Sequence, residues 1–328
     1  TGDYLLDAYV SYDITNRIKV FFGQRSTYTD NRELFMNSNS LQLVERSRLT
    51  SAFSSIREFG LFLSGNFRLN GQGSYLRPYF VLTNGDGINN FDKDLGGLKI
   101  GGRIDFLPFG LFTNKGQFRQ IDVMRELTPK FVIGVNYSHN SGMSSRRGRN
   151  SGSILYLNEL GQQSLPDYTK YGIDFLFKYN GFSALGEYVK SSSTVPTDII
   201  ERVRNDGSTS SSFLVNGVQD IESYVNGRMM LGEAYNIQMG YLFKSGITID
   251  SRYTHLKADD NSFLNNATFY NRPNYYSFGV SKYLSRNYGA KIQASWTYVD
   301  GRDGINDMNG DPIIGNETIT RLMLTFAF

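Results

Sequence analysis

Apolar and polar positions alternate along most of this chain, and the last stretch shows the pattern most plainly. Over residues 320–328, Leu322, Leu324, Phe326 and Phe328 fall on one side of an extended chain, and Arg321, Met323, Thr325 and Ala327 on the other. Period two is the strand period, so one face is apolar and the other can be wet. The same alternation recurs from the start. Tyr4, Leu6, Ala8, Val10 and Tyr12 oppose Asp7 and Ser11, and Ile18, Val20 and Phe22 oppose Lys19 and Arg25. Phe59, Leu61, Leu63, Gly65 and Phe67 oppose Ser64, Asn66 and Arg68; a less regular run covers 75–84. Leu98, Ile100, Ile104 and Phe106 oppose Lys99, Arg103 and Asp105, and Ile133, Val135 and Tyr137 oppose Asn136 and Ser138. In the second half, Tyr171, Ile173, Phe175, Phe177 and Tyr179 oppose Asp174 and Lys178, and Phe182, Ala184 and Tyr188 oppose Ser183 and Glu187. Four more such runs follow, around 235–243, 247–254, 278–280 and 292–298, the second with Asp250 and Arg252 on its polar face and the last with Lys291. With the terminal stretch this predicts thirteen strands. Helical periodicity is nowhere sustained.

The connections alternate in length. Short turns fall at 13–17, 70–74, 180–181, 245–246 and 285–287, with Asn180-Gly181 a hairpin signal because both residues tolerate positive φ. Long polar gaps fall at 26–56, 85–96, 141–169, 191–233, 258–274 and 300–316. Short turns at one rim and long loops at the other is the pattern of outer-membrane barrels. Tyr12, Tyr179 and Phe243 sit beside short turns, and Tyr137, Tyr188, Tyr253 and Tyr298 beside long loops, as two interfacial girdles would require. The expectation is an all-β chain: one transmembrane antiparallel β-barrel over residues 1–328, of sixteen strands (14–18), with the six long gaps as extracellular loops in a bacterial outer membrane.

Composition agrees. Hydrophobic residues make up only 40% of the 328, too dilute for spanning helices, and strands with lumen-facing polar residues account for the dilution. The absence of cysteine excludes a disulfide framework and a thiolate metal site. A net charge of +3 gives no reason to expect a nucleic-acid partner. No basic stretch followed by an apolar run opens the chain, so a signal has been removed or the sequence begins inside the mature protein.

Inward parity assigns Lys19, Arg25, Arg68, Lys99, Arg103, Lys178, Arg252 and Lys291 to a water-filled lumen, together with Asp7, Asp105, Asp174, Glu187 and Asp250. Lumen charges select ion sign, and the cations here are in slight excess, which points to weak anion preference; alternatively they solvate the wall and pair with one another. Arg146, Arg147 and Arg149 form a basic cluster in a long loop, open to three readings: a solvated loop, a constriction, or a contact with lipopolysaccharide phosphates. Asp307, Asn309 and Asp311 alternate as calcium ligands can, although Asp and Asn are also ordinary turn formers; no other cofactor is implied. The chain has two histidines, His139 and His255, and neither has a nucleophile or metalloprotease setting; His139, Asn140 and Ser141 are adjacent on an extended chain, where their side chains diverge. No enzyme is expected.

Several stretches carry a family resemblance: LLDAYVSY, IKVFFGQ, LVERSRLTSAFSSIREFGLFLSGNF, VLTNGDG, GRIDFLPFG and YGIDFLFKYNGFSALGEYVK, with RLMLTFAF at the end. Glu45-Arg46 with Arg57 and Gly60, then residues 84–87 reading NGDG, is the most specific combination. Together they resemble the phosphate-selective porin O/P family, interrupted in the long loops. The resemblance implies a sixteen-stranded, often trimeric outer-membrane channel favouring anions, phosphate among them. After Gly23-Gln24 the family's Lys-x-Pro-Phe-like run is replaced by RSTYTD, and no dense arginine ladder is visible.

The expected function is therefore a porin for small anionic or polar solutes, in contact with outer-membrane lipid and lipopolysaccharide, as a homotrimer or beside other outer-membrane proteins. The alternative is a structural barrel in a larger secretion or barrel-insertion assembly, with the Ser- and Asn-rich gap 191–233 as plug or docking surface. Loop lengths also fix strand directions. Both 4–12 and 319–328 run toward the short-turn rim, so these two strands should not close against each other. One or three strands preceding the sequence would then complete an even barrel.

Overall fold

The computed structural model describes residues 6–69, 73–89, 96–148, 154–266, 272–285, 288–300, 305–306, 312–313 and 315–327. Each period-two segment of the sequence is a strand. In chain order these are β1 (Ala8–Asp13), β2 (Ile18–Ser26), β3 (Arg57–Gly65), a short β4 (Phe67–Leu69), β5 (Ser74–Thr83), β6 (Lys99–Leu107) and β7 (Lys130–Asn140). There follow β8 (Asp167–Tyr179), β9 (Phe182–Thr194), β10 (Gly232–Leu242), β11 (Ile247–Ala258), β12 (Asn274–Tyr283), β13 (Ala290–Asp300) and β14 (Glu317–Phe326). They form one 14-stranded sheet in which strands pair antiparallel in sequence order, except that β3 and β4 both pair with one edge of β5 and not with each other. The β8–β9 turn is the Asn180-Gly181 hairpin expected, with φ of 48° and 91°.

The sheet is rolled into an antiparallel barrel. Thirteen strands laid flat would span on the order of 55–60 Å. Yet residues 31–42 alone hydrogen-bond to side chains of β6, β8, β9, β10, β11 and β13, so the wall must wrap around them. An even number of antiparallel steps separates β1 from β14, so the two run the same way, and among the described residues they are not paired with each other.

The two faces are inverted relative to a water-soluble protein. Outward residues are apolar and exposed, among them Ile104, Val135, Ile173, Ile237, Ile249, Phe278, Ile292 and Leu324. Inward residues are polar and buried, among them Asn136, Asp174, Glu187, Gln238, Thr254 and Gln293. Outward tyrosines form a row near the long-loop rim, with ring centroids of Tyr235–Tyr253, Tyr253–Tyr276 and Tyr276–Tyr298 at 5.8, 4.9 and 6.3 Å.

What buries the inward face is the chain itself. The gap 26–56, expected as a loop outside the rim, turns into the barrel. It carries two short helices, α1 (Arg32–Phe35) and α2 (Arg48–Phe53). Its apolar residues explain the turn: Met36 packs with Leu107, Val132, Leu176 and Leu185, and Leu49 and Phe53 pack with Val189, Ala234 and Leu256. From the opposite rim, residues 113–126 reach the same interior, where Ile121 packs with Leu242 and Tyr283. Two inward glycines make room. A Cβ at Gly134 would strike Arg103, Asp105 and Arg32, and one at Gly240 would strike Asp250 and Gln42.

Over the long-loop rim, residues 141–148 and 154–169 fold together with 191–233 as a lid. Met143, Tyr156, Leu165, Ile199, Phe213 and Val225 form its core, beside a small sheet (Tyr156–Leu157, Glu201–Val203, Thr209–Ser210) and α3 (Ile221–Asn226).

Candidate functional site

The eight inward cations divide into two groups. Five belong to the filled part of the lumen. Lys99 donates to Glu58 at 2.5 Å. Arg103 bonds Asp105 at 2.8 Å and also Asp174, and Arg32 of the inserted segment meets the same two carboxylates at 2.7 Å each. Lys178 donates to the carbonyls of Gly116 and Ile121, both at 3.0 Å. Arg252 donates to the Glu45 carbonyl at 2.9 Å and lies 3.6 Å from the Glu33 carboxylate. Lys291 donates to the Leu41 carbonyl at 2.7 Å. These five are buried and partnered. Here the interior is not the water-filled lumen that parity alone suggested, because the inserted segments supply the carbonyls and carboxylates that water would otherwise have supplied.

Glu33 is the hub of the inserted segment. One carboxylate oxygen accepts from the Ser47 N–H at 2.7 Å and from the Ser47 and Thr50 hydroxyls at 2.7 and 2.5 Å, and the other from Gln120 at 3.0 Å. Asp30 receives Lys170 at 2.5 Å. Burial would raise its pKa, but the ammonium groups of Lys170 and Lys99 outweigh that and hold it below the usual carboxylate range.

The remaining three cations sit elsewhere. Arg68 is exposed at the rim, on the face of its cross-strand partner Tyr75. Lys19 pairs with Asp13 at 3.3 Å and, with Arg25, lines a cavity of about 1220 Å³ between the inner face of β2, β3, β5 and β6 and residues 34–57. Seven cationic side chains border it: Lys19, Arg25, Arg46, Arg57, Arg77, Arg103 and Lys115. Its two carboxylates are already engaged, Asp105 by Arg32 and Arg103, and Asp7 by Arg57 at 3.1 Å. The Arg25 guanidinium lies 3.8 Å from the Phe21 ring centroid and 4.8 Å from that of Tyr28, and Arg77 lies 5.6 Å from Tyr79 and 5.0 Å from Phe118. Nε and Nη1 of both arginines are buried without a hydrogen-bond partner. Cation–π contacts hold the planes in place while leaving these donors unspent. An anion with oxygen acceptors would satisfy them.

Of the seven cations at this cavity, sequence parity turns Lys19, Arg25 and Arg103 inward but does not single out Arg46, Arg57, Arg77 or Lys115. Arg77 lies in the least regular strand, and Arg46 and Lys115 lie in connections. The signal for the inserted segment was present in Leu34, Phe35, Met36, Leu41, Leu43, Leu49 and Phe53, too apolar a set for a solvated loop. Arg147 of the basic cluster donates to the carbonyls of Ser51 and Ala52 at the C-terminal end of α2, and Arg146 to that of Arg228. Asn140 turns inward to the Gly85 carbonyl, while His139 meets Thr169 on the outer face. Arg149, Asp307, Asn309 and Asp311 lie outside the described residues.

No protein-family model matches the chain, and no curated protein matches it. Solved structures similar to this chain include two outer-membrane proteins. One is OmpT, an outer membrane protein of Vibrio cholerae folded in vitro, with 8% identity, a TM-score of 0.41 and coverage of 95% of this chain and 83% of that one. The other is OccAB2 of Acinetobacter baumannii, with 15% identity, a TM-score of 0.39 and coverage of 96% of this chain and 67% of that one. The antiparallel pairing of the wall, rather than these likenesses, defines the fold.

Proposed function

We propose that the protein is an outer-membrane barrel that passes small anionic or polar solutes along the β2–β6 side of its lumen. The inverted faces support residence in a bilayer, since so wide an exposed apolar surface is not left in water. The observation that carries anion preference is the cavity itself: seven cations against two carboxylates that are already paired, with unspent guanidinium donors on Arg25 and Arg77. The resemblance to the phosphate-selective porin O/P family adds phosphate as a candidate solute. Lipopolysaccharide contact and a homotrimer belong to the same reading.

Recording from the purified protein in a planar bilayer under a salt gradient tests this. A reversal potential of anion-selective sign is expected, and Arg25→Gln with Arg77→Gln should shift it toward zero. An anion preference that the double variant leaves untouched would remove the cavity from the account.

A second reading is favoured by the inserted segments, which close most of the lumen with buried ion pairs. Under it the barrel is a non-conducting subunit of a larger outer-membrane assembly. Silence in the bilayer, with copurification of other outer-membrane proteins in fixed ratio, would decide for it.

A further inference from the structure

The lid holds a second basic pocket, far up the long-loop rim and separate from the lumen cavity. It measures about 300 Å³, and four arginines line it: Arg146, Arg202, Arg204 and Arg228. No carboxylate lines it, and among the described residues none of the four guanidiniums makes an ion pair. The arrangement is built rather than incidental. Arg202 and Tyr156 are cross-strand partners in the lid's small sheet and so share a face. The Tyr224 hydroxyl accepts from Arg202 at 2.6 Å and from Arg228 at 2.8 Å, which fixes both guanidiniums. Arg146 is backed by the Phe263 ring at 3.6 Å. Tyr156 is buried to 2% exposure, borders the pocket, and its hydroxyl has no hydrogen-bond partner.

Converging like charges with no carboxylate lining the pocket, beside an unspent buried hydroxyl, is an arrangement that a bound anion relieves. Arginine forks match phosphate oxygens in pairs, and Ile154, Leu155 and Val203 line the same pocket with apolar surface for a body attached to the anion. The volume is at the small end of ligand pockets and suits one monosaccharide. We propose that this pocket binds a phosphorylated hexose, with the phosphate among the arginines and the Tyr156 hydroxyl and the sugar against Ile154, Leu155 and Val203. Such a group occurs free in solution and in the headgroup of lipopolysaccharide, and the chemistry recognised is the same. The site is independent of conduction and stands or falls apart from the pore reading.

Calorimetric titration of glucose 6-phosphate into the detergent-solubilised full chain, freed of lipopolysaccharide and at low ionic strength, tests the proposal. Saturable binding is expected, tighter than that of inorganic phosphate. Arg202→Gln with Arg228→Gln should weaken it by at least about tenfold. Tyr156→Phe, which keeps the packing, should weaken it by about threefold. Both variants are first checked for the native shift on unheated gels, so that loss of fold is not read as loss of ligand. No titration with the wild type, equal affinity for inorganic phosphate and the sugar phosphate, or undiminished binding by the folded double variant would each overturn it. Repeating the titration in vesicles containing lipopolysaccharide separates the sources. Loss of the signal identifies the lipid headgroup as occupant, an unchanged signal identifies a soluble sugar phosphate, and either supports the site.

Discussion

Arg103 and Arg77 stand on adjacent strands of one inner face and both border the cavity, and yet they are held in different ways. Arg103 is closed in by Asp105, Asp174 and the inserted Arg32. Arg77 lies on Tyr79 and Phe118 at the cavity wall, with two buried nitrogens unpartnered. The β6–β13 side of the lumen is a polar core, in which buried charges meet an opposite charge, as Arg32 meets Asp174, or a carbonyl, as Lys178 and Lys291 do. The β2–β6 side is a cavity whose cations outnumber the carboxylates that pair with them. The same residue type at the same inward parity is tied into an ion network where carboxylates face it and is left with unpartnered nitrogens where aromatic rings do. Lumen charge therefore has to be counted after the inserted segment is seated, not before.

The sharpest way to break this contrast is to remove Arg32. Its loss leaves Asp105 and Asp174 with Arg103 alone, and stripping one partner from a buried ion network costs about 3–5 kcal/mol. Arg32→Met should lower the thermal unfolding midpoint and, in bilayers, raise unit conductance as the inserted segment loosens. A variant as stable as the wild type would show that the network does not hold the segment.

The next effect is steric. Gly240→Val would drive a side chain between Asp250 and Gln42, and overpacking of this kind costs about 1–3 kcal/mol. Ser26→Val, which adds bulk beside the cavity, should cost under about 0.5 kcal/mol. Equal destabilisation of the two in urea titrations would erase the difference between the filled and open sides.

This asymmetry also marks where the sequence stopped being informative. The thirteen runs, their order, the Asn180-Gly181 turn and the inward parity of Lys99, Arg103, Arg252 and Lys291 were all legible, because period two fixes facing without reference to anything distant. Which of those cations would be free was not legible. It depends on contacts such as Gln42 to Asp250 or Lys291 to Leu41, which join residues some 200 positions or more apart. A polar gap containing Arg32 and Glu33 has the same composition whether it folds outward into water or inward onto matching charges.

Acid provides a smaller, graded test. The Asp30 carboxyl is held below the usual range of about 3.9 by Lys170 and Lys99. Its contribution to stability is therefore full above that unfolded value and is lost as pH falls through the lower folded one. Unfolding midpoints should be level from neutral pH down to about 4, and then decline, with Asp30→Asn lower at neutral pH and flatter below. A wild-type midpoint that falls already between pH 7 and 5 would place the acid-sensitive group elsewhere.

The smallest expected effect concerns the far end of the inserted segment. Glu45 offers its carbonyl to buried Arg252 and its carboxylate to Arg321 of β14 at 3.0 Å, and both members of that ion pair are about two-fifths exposed at 41%. Solvent and salt screen such a pair, and exposed ion pairs contribute about 0.2–1 kcal/mol. The carbonyl contact survives substitution of the side chain. Glu45→Gln should thus shift the unfolding midpoint by no more than a degree or two at low salt and by nothing measurable at 1 M. It should also leave the bilayer reversal potential where it was, since Glu45 does not border the cavity. A loss comparable to that of Arg32→Met would mean that the segment is anchored through β14 rather than through β6 and β8, and the division of the lumen would have to be drawn from that strand instead.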